Sequence, residues 1–131
     1  MKHIVRIVLL LVCAAFTGAA AATCTLVNFA LVRDEGSANA LIRVPSQCVD
    51  NRVLAAGVAE TYTVQSGAKT CLFSSNAPFW ARPDATAAVP AADVSDGTGS
   101  TFSPAAWYVG ATTTISLIAP TVAALSIECY K

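Results

Sequence analysis

The chain has 131 residues, of which 55% are apolar and only 12% charged, with eight Lys+Arg against eight Asp+Glu. Such a balance excludes a disordered charged tail and leaves no basic stripe to neutralise a phosphate backbone, so nucleic acid is not an expected partner. The length allows one domain.

The first 22 residues have the layout of a secretory signal peptide. Lys2, His3 and Arg6 make a positive start, Ile7–Phe16 is an apolar run, and the small residues Ala20-Ala21-Ala22 supply a cleavage site. The Ile7–Ala22 stretch is 16 residues, short of the roughly 20 that span a bilayer, so cleavage after Ala22 is expected rather than a retained anchor. Val12 before Cys13 argues against a lipoprotein signal, which places a small residue there. The expected mature chain, residues 23–131, keeps six Lys+Arg and eight Asp+Glu, a formal charge of −2. His3 is the only histidine and leaves with the signal, which removes Ser-His-Asp and Cys-His nucleophilic sites and histidine-ligated zinc from consideration.

Along residues 23–131 apolar positions recur with period two, and turn residues interrupt them about every ten positions. Thr25–Arg33 reads as a first strand closed by the turn Asp34–Ser37, and Ala40–Val44 as a second stopped by Pro45. Glu60–Val64 turns at Ser66-Gly67 into Thr70–Ser74, and Phe79–Arg82 is a short strand between prolines 78 and 83. Ala91–Ser100 is a polar, glycine-containing surface loop. Ala105–Val109, Thr113–Ala119 and Ala123–Tyr130 complete the set. No helix is expected. About seven to nine antiparallel strands predict an all-β fold, a single disulfide-stapled β-sandwich or flattened barrel.

Cys24, Cys48, Cys71 and Cys129 contain no C-x-x-C spacing, so neither a zinc cluster nor a redox pair is expected. An even cysteine count in an exported chain predicts two disulfides. Of three connectivities, alternation favours Cys71 with Cys129, because Cys71 shares a face with Phe73 and Cys129 with Leu125 and Ile127. Cys24 then joins Cys48, fastening the first strand to the loop after Pro45. Chain entropy is worth roughly 4 and 3.5 kcal/mol for the two loops and hardly separates the alternatives.

Asp93 and Asp96 beside Gly97 and Gly99 have oxygen ligands to offer calcium, but Asp and Gly commonly build plain surface turns and no acidic residue closes the loop, so no metal is expected. Phe79-Trp80 and Trp107-Tyr108 each put one ring inward and one outward if they lie in strands. Trp80, Trp107, Tyr108, Asp93 and Asp96 are therefore the candidate interaction surface. Nothing places two of the carboxylates Asp34, Glu35, Asp50, Glu60, Asp84, Asp93, Asp96 and Glu128 across a cleft. With no phosphate loop and no G-x-S-x-G either, no catalytic residue, no cofactor and no enzyme is expected.

From Arg52 onward the chain resembles a family of small β-rich proteins encoded by tailed phages and prophages. The resemblance rests on the Thr-Val strand and Ser-Gly-Ala turn of Tyr62–Ala68, on Trp80-Ala81-Arg82, on the Thr86–Asp93 segment, and on a terminal hairpin of Ile115–Ala119 with the strand to Tyr130. Members of that family are virion-associated or uncharacterised and have no known active site, so the resemblance implies a structural or interaction protein whose partners are other proteins or copies of itself. Such an origin sits beside an export signal and four cysteines, which reducing-cytoplasm assembly does not require. The expected location is thus the periplasm, the exterior or a virion surface, with no membrane contact after cleavage. A secreted carbohydrate-binding module is the alternative.

Overall fold

The computed structural model describes residues 24–33 and 41–131; the expected signal segment 1–22 and the expected turn Asp34–Ser37 lie outside them. All regular structure among the described residues is β, and no helix among them is long and apolar enough to cross a membrane. A small ribbon pairs β1 (Leu31–Arg33) with β2 (Leu41–Arg43). Two four-stranded antiparallel sheets form the body. The first runs β3 (Cys48–Leu54), β10 (Ala123–Tyr130), β5 (Thr70–Ser75), β8 (Ala106–Tyr108); the second runs β4 (Glu60–Thr63), β9 (Thr114–Ile118), β6 (Trp80–Pro83), β7 (Thr101–Phe102).

The orders correspond position by position. The chain changes sheet at almost every connection, so β3 faces β4, β10 faces β9 and β5 faces β6 across the core. Phe73 of β5 lies 6.3 Å from Phe79 beside β6, and Arg52 of β3 sits 5.7 Å over the Tyr62 ring of β4. Inward positions supply the core: Leu54, Cys71, Phe73, Leu125 and Ile127 from the first sheet meet Tyr62, Ala81, Ile115 and Leu117 from the second. Alternation in β10 is the clearest, with Ala123, Leu125, Ile127 and Cys129 buried.

Both disulfides have the expected pairing. Cys71 and Cys129 are direct cross-strand partners with Cα atoms 4.2 Å apart, and Cys24 joins Cys48 at 5.3 Å. Cys48 is also opposite Cys129 in the β3–β10 register, so three cysteines form a row across adjacent strands. Cys48 begins a seven-residue strand rather than standing in a loop after Pro45. Only Leu31–Arg33 of the expected first strand joins a ladder. The residues before it are held instead by the Cys24 bridge, by Leu26 against the core, by Phe29 edge-on to Tyr130 at 5.2 Å, and by a Lys131 N–H bond to the Val27 carbonyl of 3.0 Å.

The terminal hairpin is a second correction, because β9 and β10 lie in different sheets and Pro120–Val122 carries the chain across the core. Alternating faces are equally compatible with pairing side by side and with facing across a sandwich.

Candidate functional site

The outer face of the second sheet gathers more of the predicted surface residues than any other place. β6 ends at Pro83, and Asp84 follows with φ 47°, a left-handed conformation uncommon for a residue other than glycine. Its Oδ1 accepts the amides of Thr113 at 3.0 Å and Thr114 at 2.9 Å, and both hydroxyls as well. These donors, the Thr114 amide foremost, hold the carboxyl below its ordinary value of 3.8. The clasp fixes where the connection 84–100 departs from the sheet.

That connection then lies over β9. Ala87 is buried and its amide donates to Ser116 Oγ at 2.9 Å, while the Ala88 amide donates to Ser100 Oγ at 3.0 Å. This cover accounts for the burial of Ser116 on the outer face of β9, where Ile118, the register partner of Trp80, is buried too. Farther along, Asp96 Oδ1 accepts the Thr98 amide at 2.9 Å and the Thr98 hydroxyl at 2.6 Å, closing a turn through Gly97 at φ 79°. The Thr98 hydroxyl and amide lower the Asp96 pKa, with a smaller contribution from Arg82 of β6. Asp96 thus secures its own loop, and Asp93 stays exposed beside it. No group of three His, Cys, Asp or Glu side chains suited to a metal occurs among the described residues.

Trp80 points outward from β6 and is half-buried, with its ring 4.9 Å from and edge-on to Phe102 of β7, which is 58% exposed. Arg82, two residues on, shares that face. Phe102 also borders an open groove of about 490 Å³ with Phe73, Pro78, Phe79 and Pro104. Trp80, Arg82, Phe102 and Asp96 therefore make one aromatic and charged surface.

The other two predicted aromatics are elsewhere. Trp107 turns inward and meets Phe73 edge-on at 5.5 Å, which makes it part of the core. Tyr108 is 76% exposed on the first sheet, facing away from Trp80 through the thickness of the sandwich. Its hydroxyl lies 2.6 Å from the point a Cβ on Gly110 would occupy, so the ring folds over that glycine. Sequence reasoning did not single out Phe102 or Arg82 for this surface. The period-two rule places Arg82 beside Trp80, but only the β6–β7 pairing brings Phe102 in.

At the opposite edge Tyr62 and Arg52 meet inside the sandwich mouth, with the Tyr62 hydroxyl 3.4 Å from Cys129 Sγ. Burial first, then the Asp50 charge, push the Tyr62 phenol above its ordinary value, so it stays protonated and offers no base. Among the described residues no buried side-chain nitrogen or oxygen lacks a hydrogen-bond partner. Comparison with protein-family models, with curated proteins and with solved structures returns no match.

Proposed function

We propose that this chain is an exported structural or interaction module of the phage-like kind, a virion surface, decoration or attachment protein that acts through its faces rather than through chemistry. The observation that carries this reading is where the polar side chains go. Asp84, Asp96, Ser116 and Asn76 each hold backbone from a distant or turning segment in place, which builds a rigid display scaffold and leaves none of the four as a poised base or nucleophile. Two disulfides support the same reading, because they suit an oxidising compartment and fasten both the segment that follows Cys24 and the last strand. Export fits a virus that assembles at or beyond the inner membrane, or a phage-like module recruited for secretion.

The test is mass spectrometry of density-gradient-purified particles from the natural source. Stoichiometric protein in the particle fraction supports the virion role, confinement to the soluble exported fraction leaves only the recruited secreted module, and retention inside the cell contradicts the proposal.

The Trp80–Phe102 surface favours a second reading, a carbohydrate-binding module, since a half-buried tryptophan beside an exposed phenylalanine, with Arg82 on the same face, suits the apolar face and hydroxyls of a sugar. Glycan-array binding by residues 23–131 that is lost in Trp80→Ala would establish this reading instead.

A further inference from the structure

β3 is the longest edge strand of either sheet, seven residues against four in β4, two in β7 and three in β8. The Lys69 amide donates to the Tyr130 carbonyl at 2.7 Å, which aims the backbone of Tyr130 at the β5 side. Alternation along β10 then aims Cys129, Ile127 and Leu125 at β3, where their partners are Cys48, Asp50 and Arg52. The N–H and C=O groups of Val49, Asn51 and Val53 consequently point out from the sheet edge, and no described residue pairs with them. Their side chains lie on the outer face, where Val49 is 45% and Val53 70% exposed.

The strand is palindromic in its chemistry about Asn51. Valines stand two places to either side, and a carboxylate and a guanidinium, Asp50 and Arg52, stand one place to either side. Antiparallel pairing with an identical strand centred on Asn51 sets Asp50 of each copy opposite Arg52 of the other, and Val49 opposite Val53. The outward backbone groups are those such a register needs, giving about six N–H···O bonds through Val49, Asn51 and Val53. The charged pairs fall at the closer, non-hydrogen-bonded positions, with Cβ atoms roughly 4.5 to 5.5 Å apart. Slipping by two residues sets Asp50 against Asp50 or Arg52 against Arg52, and slipping by one puts the bonding groups out of phase.

Inward charges on an edge usually block pairing. Here they block the wrong registers and complement the symmetric one.

We infer that β3 is a self-pairing edge, joining two copies of this chain about a two-fold axis through Asn51 into one continuous eight-stranded sheet. The proposal deepens the structural-module reading by naming a second copy as partner, and rests on that reading for its purpose but not for its chemistry.

Light scattering on residues 23–131 with disulfides intact, joined to amide hydrogen exchange, tests it. The expected result is a dimer in which the Val49, Asn51 and Val53 amides are protected. Asn51→Pro removes an outward N–H that the β3–β10 ladder does not use, and Val53→Lys puts a charge on the joint. Each should weaken the dimer at least about tenfold while leaving the fold intact. Asp50→Arg alone should weaken it similarly, and Asp50→Arg with Arg52→Asp should restore it. A monomer at about 0.1 mM, beyond the range of specific interfaces, overturns the proposal, as does a dimer whose three amides exchange freely or that ignores these substitutions. A chain found in particles yet monomeric sinks the pairing alone, and a dimer absent from particles sinks the virion reading alone.

Discussion

Asp84 ties residues 29 and 30 positions away with a single carboxylate oxygen. Its folded pKa lies below the ordinary 3.8, so the stability it contributes is present above that value and is lost as pH falls through the folded one. Melting temperature should therefore drop below about pH 4 more steeply in the wild type than in Asp84→Asn, the two curves converging at low pH. Parallel curves would contradict the clasp. Asparagine is the informative substitution because it tolerates the left-handed backbone that Asp84 adopts. A second residue-scale prediction concerns Tyr108, whose ring end occupies the space over Gly110. The ring is exposed and free to rotate, so Gly110→Ala should change stability by less than about 0.5 kcal/mol while releasing the tyrosine, seen as a shift in its NMR ring resonances. A large loss of stability would mean the ring is fixed there.

Strands whose inward positions are all apolar were legible from alternation alone, as Leu125, Ile127 and Cys129 in β10 or Cys71 and Phe73 in β5 illustrate. β3 escaped that test because Asp50 and Arg52 occupy its inward positions at the open mouth of the sandwich, a place only the stacking of β3 on β4 creates. Facing also gave the disulfide pairing, but the partner sheet of each strand was not legible, which is why β9 and β10 read as a hairpin. In the candidate surface, Trp80 followed from its neighbour Phe79 turning inward, whereas the seat of Asp96 near Arg82 depends on how the connection 84–100 folds back over β9. The cysteines give the prediction at this scale. Replacing Cys24 and Cys48 by alanine should cost roughly 3.5 kcal/mol through chain entropy, and replacing Cys71 and Cys129 roughly 4 with a further loss for the space left in the core. Urea denaturation measures both, and negligible losses would show that the bridges are not what fastens the fold.

At the scale of the whole molecule, the chain crosses between sheets at nearly every connection, so each ladder in the body except β6–β7 joins strands that are not consecutive in the chain. Folding of such a topology is slow and benefits from covalent bonds that close its long loops. The result is a scaffold whose two outer faces and one long edge are set by strand register, with Trp80, Arg82, Phe102 and Asp96 on one face, Tyr108 on the other, and Val49 to Val53 along the edge. Non-reducing peptide mapping with N-terminal mass analysis of protein recovered from its natural setting tests whether the molecule is an exported, covalently stapled display module. The expected chain begins at Thr23, with Cys24 linked to Cys48 and Cys71 linked to Cys129. A soluble chain that keeps residues 1–22, free thiols, or a link from Cys24 to Cys71 or Cys129 would contradict it.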